Sequence, residues 1–366
     1  MRRSSSSARP PATNGSCGES TRRFDFAFGS EVVIGPRLQA PGWRNAITYV
    51  TMVKRPMPLT TRRTSSLLIT VSVAALGIVV ACSSSPSGPT TGGGTTGTGG
   101  GNTPLTGLTA VVLGVADIGM CNQPEAAQTA RLVAGLEGSL LLAGDIAYFQ
   151  GSAANFRDCF NPEWGRFRGR WHASPGNHEY ETAGAGPYFD YFREAAGDDR
   201  TGYHAFMAGD WLILMLNSNI PAGRGSAQWE FARRQLEAQR TPCTMAVWHH
   251  PLFTSGPNGN NAFMRDMWSL LEASRAEVVL NGHDHLYERF GRQLANGTAD
   301  PVNGIRQFTA GTGGAELYNF VRAAPNSESR IMRFGVVRFT LRPAQVEWAF
   351  LGVDGSVGDS GLDTCR

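Results

Sequence analysis

Short apolar segments, each followed closely by a polar motif, are the feature that most constrains this 366-residue chain. Near-continuous apolar runs of strand length are typical of strands that are buried on both faces. They occupy residues 109–116, 139–143, 211–216, 244–248 and 277–280. Between them, apolar residues have helical spacing at 125–136, 186–196, 228–238 and 263–273. This alternation predicts an α/β fold.

The pattern changes from Ile305 onward. Short strand-like segments occupy residues 307–310, 335–341 and 346–351, with no helical spacing between them. They predict a second, mostly antiparallel sheet.

Polar motifs that could bind metal ions follow one another in a fixed order. They are Asp117-Ile-Gly119, Gly144-Asp145-Ile-Ala-Tyr148, Gly176-Asn177-His178-Glu179, His249-His250-Pro251, Gly282-His283-Asp284-His285, Glu288-Arg289 and Gly311-Thr-Gly-Gly314. Four of the candidate ligand motifs come directly after an apolar strand, where open α/β sheets gather their binding sites. Each motif alone could be a helix cap or an ordinary turn. Together they offer the mixed oxygen and nitrogen donors that a two-metal hydrolytic site needs.

These ordered motifs resemble the calcineurin-like metallophosphoesterase family, and more closely its purple acid phosphatase branch, in a bacterial form with a single catalytic domain. The resemblance spans roughly Ala110 to the C-terminus. In the wider family the first motif is Asp-x-His, whereas Gly119 stands at that position here. Tyr148, three residues after Asp145, matches the tyrosine that compensates for this loss in purple acid phosphatases.

The resemblance implies a sandwich of two mixed β-sheets flanked by helices, and a role for each motif. Asp117, Tyr148 and His285 would bind the first metal, Asn177, His249 and His283 the second, and Asp145 both. Catalytic residues would be His178, which stabilises charge or protonates the leaving oxygen, and His250, which is also the alternative to His249 as a ligand. The metals would be Fe(III) at the first site and Fe, Zn or Mn at the second, with a metal-bound hydroxide attacking a phosphate ester.

The loop at residues 256–261 contains no histidine, although many relatives place substrate-binding histidines there. Monoester and diester substrates therefore both stay open. One alternative is a calcineurin-like phosphodiesterase or nucleotidase with two divalent metals. Another is a non-catalytic envelope-binding protein on the same fold.

The amino-terminal third has the composition of a targeting segment. Arg62 and Arg63 precede the apolar run 67–81, which is too short for a confident membrane span and ends in Ala81-Cys82. We predict a lipoprotein-type signal at 57–82 with lipidation of Cys82 as a membrane tether. An ordinary cleaved signal and an uncleaved anchor are the alternatives.

The segments on either side of that signal complete the predicted organisation. Residues 1–56 are interpreted as a mis-assigned translation start, and the Gly/Ser/Thr/Pro-rich residues 83–104 as a flexible tether. Residues 105–366 would form the catalytic domain. The product would be an exported cell-envelope lipoprotein or a secreted protein.

Net charge separates the leader from the rest of the chain. Residues 1–82 hold 11 basic and three acidic residues, whereas residues 83–366 hold 22 Arg, no Lys and 27 acidic residues. The basic excess therefore belongs to the leader. An acidic body without clustered cations argues against a nucleic-acid-binding surface, and no motif implies a protein partner.

Cysteine usage agrees with an exported chain. Besides Cys17 and Cys82, four cysteines remain, which allow three disulfide pairings. We favour Cys121 with Cys159, which would connect loops beside the Asp117 and Asp145 strands, and Cys243 with Cys365.

Overall fold

A computed structural model of the chain describes three amino-terminal strands and residues 107–238 and 243–366. The chain divides into two compact units, Met1–Gly93 and Gly94–Arg366. In the first unit, β1 (Arg22–Phe26), β2 (Ser30–Ile34) and β3 (Val50–Lys54) form an antiparallel sheet in that order.

The predicted signal peptide at 57–82 and tether at 83–104 lie outside the described residues. Among the helices that the structure describes, none has the length and apolar character to cross a membrane.

The second unit contains two mixed β-sheets. Their strands are β4 (Ala110–Val115), β5 (Ser139–Ala143), β6 (Trp171–Ser174), β7 (His204–Ala208), β8 (Trp211–Met215), β9 (Cys243–Val247), β10 (Val278–Asn281), β11 (Tyr287–Phe290), β12 (Arg306–Ala310), β13 (Ser327–Ile331), β14 (Gly335–Arg342), β15 (Gln345–Gly352) and β16 (Val357–Thr364). The seven-stranded sheet has the order β13-β11-β12-β10-β9-β8-β7, and the six-stranded sheet has the order β16-β15-β14-β4-β5-β6.

Helices connect and cover these strands. They are α1 (Glu125–Ala134), α2 (Ala153–Asn155), α3 (Asn161–Trp164), α4 (Asn177–Tyr180), α5 (Gly186–Phe192), α6 (Ala227–Ala238) and α7 (Arg265–Ala273). A π-helical turn at Phe156–Phe160 joins α2 to α3. In α1 the buried positions are Ala126, Thr129, Ala130 and Val133, which is the spacing of one helix face.

Three apolar layers hold the second unit together. One fills the space between the sheets and includes Leu141 of β5, Met245 of β9 and Phe339 of β14. Another lies between the six-stranded sheet and the helices α1, α3 and α5. The third lies between the seven-stranded sheet and the helices α6 and α7. The predicted α/β sandwich of two mixed sheets flanked by helices is therefore confirmed.

The strands after residue 305 do not form a sheet of their own, so that prediction was wrong. β12 pairs in parallel with β10 and joins the seven-stranded sheet. β14 pairs with β4 in antiparallel register, so β14, β15 and β16 extend the six-stranded sheet. The open edge of the buried strand β4 needs hydrogen-bond partners, and β14 supplies them.

Both favoured disulfides are present. Cys121–Cys159 joins the loop after β4 to the π-helical turn. Cys243–Cys365 joins the first residue of β9 to the chain end that follows β16, and so connects the two sheets.

Candidate metal centre

The carboxyl ends of four parallel strands converge on one site. Asp117 comes two residues after β4, Asp145 two after β5, His249 two after β9 and His283 two after β10. Three of these residues, Asp117, Asp145 and His283, have left-handed backbone angles, with φ of 59°, 49° and 73°. Asp and His tolerate this region better than most side chains, so the chain can turn sharply at these strand ends.

The first donor group consists of Asp117, Tyr148 and His285. The Tyr148 Oη lies 2.8 Å from Asp117 Oδ1 and 2.9 Å from His285 Nε2. His285 Nε2 is 3.3 Å from Asp117 Oδ1. On its far side, His285 Nδ1 is 2.7 Å from the Glu316 carbonyl oxygen, so Nδ1–H donates there and Nε2 is directed at the other two residues of the group.

The second donor group consists of Asn177, His249 and His283. His249 Nε2 is 3.2 Å from Asn177 Oδ1, and its Nδ1 is 2.8 Å from the Ala143 carbonyl oxygen. The rings of His249 and His283 are 5.1 Å apart. His249, His250 and His283 each offer a ring nitrogen within 4.8 Å of the others.

Asp145 lies between the two groups. Its Oδ2 is 3.0 Å from His249 Nε2 in the second group and 3.4 Å from the Tyr148 Oη in the first. Its Oδ1 accepts a hydrogen bond of 2.9 Å from the His178 backbone N–H. One carboxylate oxygen is thus fixed by the backbone, while the other faces both groups.

Two buried carboxylates give this site negative charge that bound cations would neutralise. Asp117 and Asp145 are buried, with exposures of 0 % and 1 %. Burial raises the pKa of Asp145, but His249 and His178 lower it more, to about 2. Burial lowers the pKa of His249, but the Asp145 charge raises it more, to about 9. His249 therefore carries a proton at neutral pH, and its positive charge balances Asp145. A bound cation could take over that role.

Tyr148 responds to the same charges. Burial, and then the carboxylates of Asp117 and Asp145, raise the pKa of its hydroxyl well above the ordinary value. The phenol therefore keeps its proton unless a cation compensates those carboxylates. Since carboxylate, phenolate, amide and imidazole donors converge here, the residues present fit two metal ions. Two His/Asp groups of this site, Asp117 with Asp145 and His249, and His249 with His250 and His283, have ligand geometry.

The two predicted catalytic histidines flank these groups. His178 Nε2 is 3.9 Å from Asp145 Oδ2, and its Nδ1 is hydrogen-bonded to the Phe149 carbonyl oxygen. Its side chain is 28 % exposed, so solvent and substrate can reach it. His250 Nδ1 is 2.8 Å from Ser218 Oγ. The structure thus brings all nine predicted residues to one place, while their individual roles stay predictions.

Glu179 supports the site in a way that the sequence interpretation missed. Its buried carboxylate accepts hydrogen bonds from the backbone N–H groups of Asp145 (2.9 Å), Ile146 (2.8 Å) and Gly176 (2.8 Å). It therefore holds the Asp145 turn against the start of α4. The available signal was a Glu three residues after Gly176 at the beginning of a helix, which is the spacing of a capping box.

The glycine in the first motif has a structural reason. A Cβ at Gly119 would lie 2.6 Å from the Ile146 carbonyl oxygen, so a side chain does not fit there. The Gly119 N–H donates to that oxygen, and the Tyr148 N–H donates to the Gly119 carbonyl oxygen, each at 2.9 Å. The loop that has Gly119 in place of the family's histidine is thus hydrogen-bonded directly to the loop that provides Tyr148.

The loop after the His-His-Pro motif is tied to the centre. The Asn258 side-chain amide donates to the His283 carbonyl oxygen at 2.8 Å. The Thr254 and Ser255 hydroxyls donate to the buried carboxylates of Asp284 and Glu288. Asn258 therefore fixes the His283 turn.

Comparison with known proteins agrees with this geometry. The calcineurin-like phosphoesterase family model matches residues 110–287, which include every candidate ligand. Over these residues the chain resembles the calcineurin-like phosphoesterases. It also has distant similarity to plant purple acid phosphatases.

Two such relatives come from Arabidopsis thaliana. Purple acid phosphatase 18 is 31% identical over 165 residues, which are 39% of this chain and 36% of that protein. Purple acid phosphatase 15 is 26% identical over 203 residues, which are 45% of this chain and 38% of that protein. The matches thus span less than half the length of these relatives.

A solved structure shows the same fold. The purple acid phosphatase from yellow lupin seeds superposes with a TM-score of 0.63 at 19% sequence identity. The superposition covers 71% of this chain and 55% of that chain. At this identity the likeness establishes the architecture of the domain.

Proposed function

We propose that this protein is an exported phosphoesterase of the purple acid phosphatase type, which hydrolyses phosphate esters at a two-metal centre. The observation that carries the proposal is the position of Asp145 Oδ2, within 3.4 Å of donors from both groups. A single carboxylate oxygen shared in this way suits two neighbouring cations. The plant relatives support the same reaction class.

The residues of the chain would divide the work as follows. Bound metals would supply Lewis-acid activation of water and of the phosphoryl group. His178 would donate a proton from Nε2 to the leaving oxygen. Because its Nδ1–H is donated to the Phe149 carbonyl oxygen, this transfer requires the doubly protonated imidazolium. His250, fixed by Ser218, would orient the phosphoryl group beside His283.

We propose Fe(III) for the first metal and Fe, Zn or Mn for the second. The Tyr148 phenolate is a hard, anionic donor that favours a trivalent ion. Protein isolated in air should then contain iron and absorb visible light through phenolate-to-iron charge transfer. Tyr148→Phe should abolish the absorption band and spare the second metal. A colourless, fully active protein with two divalent metals would favour the divalent phosphodiesterase or nucleotidase.

Export through a lipidated Cys82 belongs to the same proposal. Two disulfides in the second unit support an oxidising compartment. Cys82→Ser in native cells should move the activity from the membrane fraction to a soluble one. Activity that stays with membranes would point to an uncleaved apolar anchor.

Hydrolysis of 4-nitrophenyl phosphate by the purified full chain, with metal analysis of the same sample, tests the function. We expect about two metal ions per chain and loss of hydrolysis on chelation, with recovery when metal returns. A fully metallated chain that hydrolyses neither phosphate monoesters nor diesters would overturn the proposal. That result would favour the non-catalytic binding protein.

A further inference from the structure

An exposed phenylalanine lies at the edge of the candidate centre. Phe149 is 57 % exposed, whereas the preceding Tyr148 is 2 % exposed. Isolated exposed apolar side chains are common on protein surfaces. Phe149 differs from such residues because its carbonyl oxygen accepts a hydrogen bond from the ring of His178, the proposed general acid.

The ring of Phe149 lies beside both the first donor group and the proposed acid. Its centroid is 5.8 Å from that of Tyr148, with the rings nearly perpendicular, and 6.3 Å from that of His178. Since Nδ1 of His178 is held by Phe149, its Nε2 faces Asp145 at 3.9 Å. A leaving oxygen that takes a proton from Nε2 would lie beside His178, and the exposed ring of Phe149 is close enough to His178, at 6.3 Å between centroids, to contact the group attached to that oxygen.

We infer that Phe149 is a specificity-determining residue that contacts the leaving group, and that it favours phosphate esters of aromatic alcohols. This inference rests on the proposed phosphoesterase function and names the substrate class of that site. Aromatic rings pair favourably at centroid separations of about 4.5–7 Å, beyond the gain from burying apolar area.

Hydrolysis of benzyl phosphate and ethyl phosphate provides the test, because the two alcohols have similar intrinsic leaving ability. We expect Phe149→Ala to lower the benzyl-to-ethyl ratio of kcat/KM by about fivefold, the size of one aromatic contact. Phe149→Trp should preserve or raise the ratio. Cyclohexylmethyl phosphate distinguishes an aromatic contact from a merely apolar one.

Phe263→Ala is the matched control. Phe263 is also an exposed phenylalanine, at 49 %, but it belongs to a different turn, Ala262–Met264. Its removal should leave the benzyl-to-ethyl ratio unchanged. An unchanged ratio in Phe149→Ala would overturn the inference, as would an equal loss with cyclohexylmethyl phosphate.

Binding of benzylphosphonate and ethylphosphonate, measured by calorimetry, separates this inference from the proposed function. These compounds cannot be hydrolysed at the carbon–phosphorus bond by the proposed reaction, so their binding reports on contact alone. Wild-type protein should prefer benzylphosphonate, and Phe149→Ala should lose that preference. If wild-type protein hydrolyses neither phosphate monoesters nor diesters, the proposed function fails, while equal binding of both phosphonates would still overturn the aromatic contact.

Discussion

Asp145 is the residue on which the proposed centre depends most. It is the carboxylate that faces donors from both groups, at 3.0 and 3.4 Å. Asp145→Asn keeps the shape of the side chain and can still accept the His178 N–H bond. It removes the negative charge that two cations would share, so we expect loss of metal and of nearly all hydrolysis. Metal analysis and circular dichroism check this, and full metal content with near-normal turnover would contradict the assignment.

His178 and His249 allow a ligand to be distinguished from a catalyst. His178→Ala should leave both metals bound and slow the chemical step by about 10²–10⁴-fold, the usual contribution of a general acid. His249→Ala should instead weaken binding of the second metal, because Nε2 of His249 faces Asp145 and Asn177. Excess metal should partly restore its activity.

Single-turnover kinetics and metal titration measure these two effects. His250→Ala is the comparison variant, because His250 also offers a nitrogen to the same histidine group. If His250→Ala loses metal while His249→Ala retains it, the roles of the two histidines must be exchanged.

At the scale of elements, the prediction from sequence succeeded where burial is uniform. Strand β5 has the predicted bounds, because every residue after Ser139 is buried and apolar. Strand β13 was not predicted, since its sequence SESRI is mostly polar and its residues alternate between half-buried and exposed. Its pairing with β11 depends on a distant part of the chain, which a local pattern cannot reveal.

In the candidate site, too, features that depend on neighbouring residues could be predicted, and features that depend on distant residues could not. Four of the ligand motifs could be predicted because each follows a strand that local hydrophobicity identifies, whereas strand β6 before Asn177 was not predicted. The support from Glu179 could not be assigned, because its backbone partners at Asp145 and Ile146 are more than 30 residues away. The sheet that β14 would join was also mispredicted, since register with β4 is set by tertiary packing.

Removal of the two disulfides should have different effects on the metal centre. Cys121 and Cys159 are 38 positions apart in the sequence, and the loop that they close contains Asp145 and Tyr148 and starts close to Asp117. Cys243–Cys365 spans 122 residues and ends at the chain terminus. Chain entropy predicts that removing them costs about 4 and about 5 kcal/mol of unfolding free energy, respectively.

Double Ser variants of each pair should therefore both unfold more easily in denaturant. Only the Cys121→Ser/Cys159→Ser variant should also lose affinity for the first metal, because its loop carries Tyr148 of the first donor group and the shared Asp145. Equal metal affinity in the two variants would show that the first disulfide contributes stability alone.

At the scale of the whole second unit, the centre depends on how the two sheets pack. Asp117, Asp145 and Asn177 follow strands of the six-stranded sheet, whereas His249 and His283 follow strands of the seven-stranded sheet. Each donor group therefore combines residues that follow both sheets, and the apolar layer between the sheets fixes the distances within each group. Any change that separates the sheets should weaken metal binding without touching a ligand.

Protonation of His172 and His204 is such a change, because the two histidines pack between edge strands of different sheets. His172 is on β6 of the six-stranded sheet, and His204 is on β7 of the seven-stranded sheet. The ring of His172 stacks on Phe206 at 3.4 Å and lies 5.7 Å from the ring of His204. Burial lowers the pKa of each histidine from 6.5 to about 4.

The sign of the effect follows from these pKa values. Between pH 6.5 and pH 4 the unfolded chain binds protons that the folded chain does not, so stability falls as the solution is acidified. Above pH 6.5 both states are neutral at these residues and the effect vanishes. The loss is about 2 kcal/mol or less for each histidine, once partial exposure is allowed for. Because His172 and His204 are close together, protonation of both also adds like-charge repulsion between the sheets.

His204→Leu should therefore flatten the fall of unfolding free energy between pH 6.5 and pH 4. The substitution removes a titrating group whose two ring nitrogens are buried without hydrogen-bond partners. His172→Phe should act in the same direction, since a second aromatic ring can keep the stacking on Phe206. Urea titrations at pH 7.5, 6, 5 and 4 measure the slope for each variant and for the wild-type chain. Carboxylates also titrate in this range, but they do so equally in the wild-type chain and in both variants. The difference in slope therefore reports on the histidines alone. Equal slopes for the variants and the wild-type chain would show that His172 and His204 do not couple sheet packing to pH.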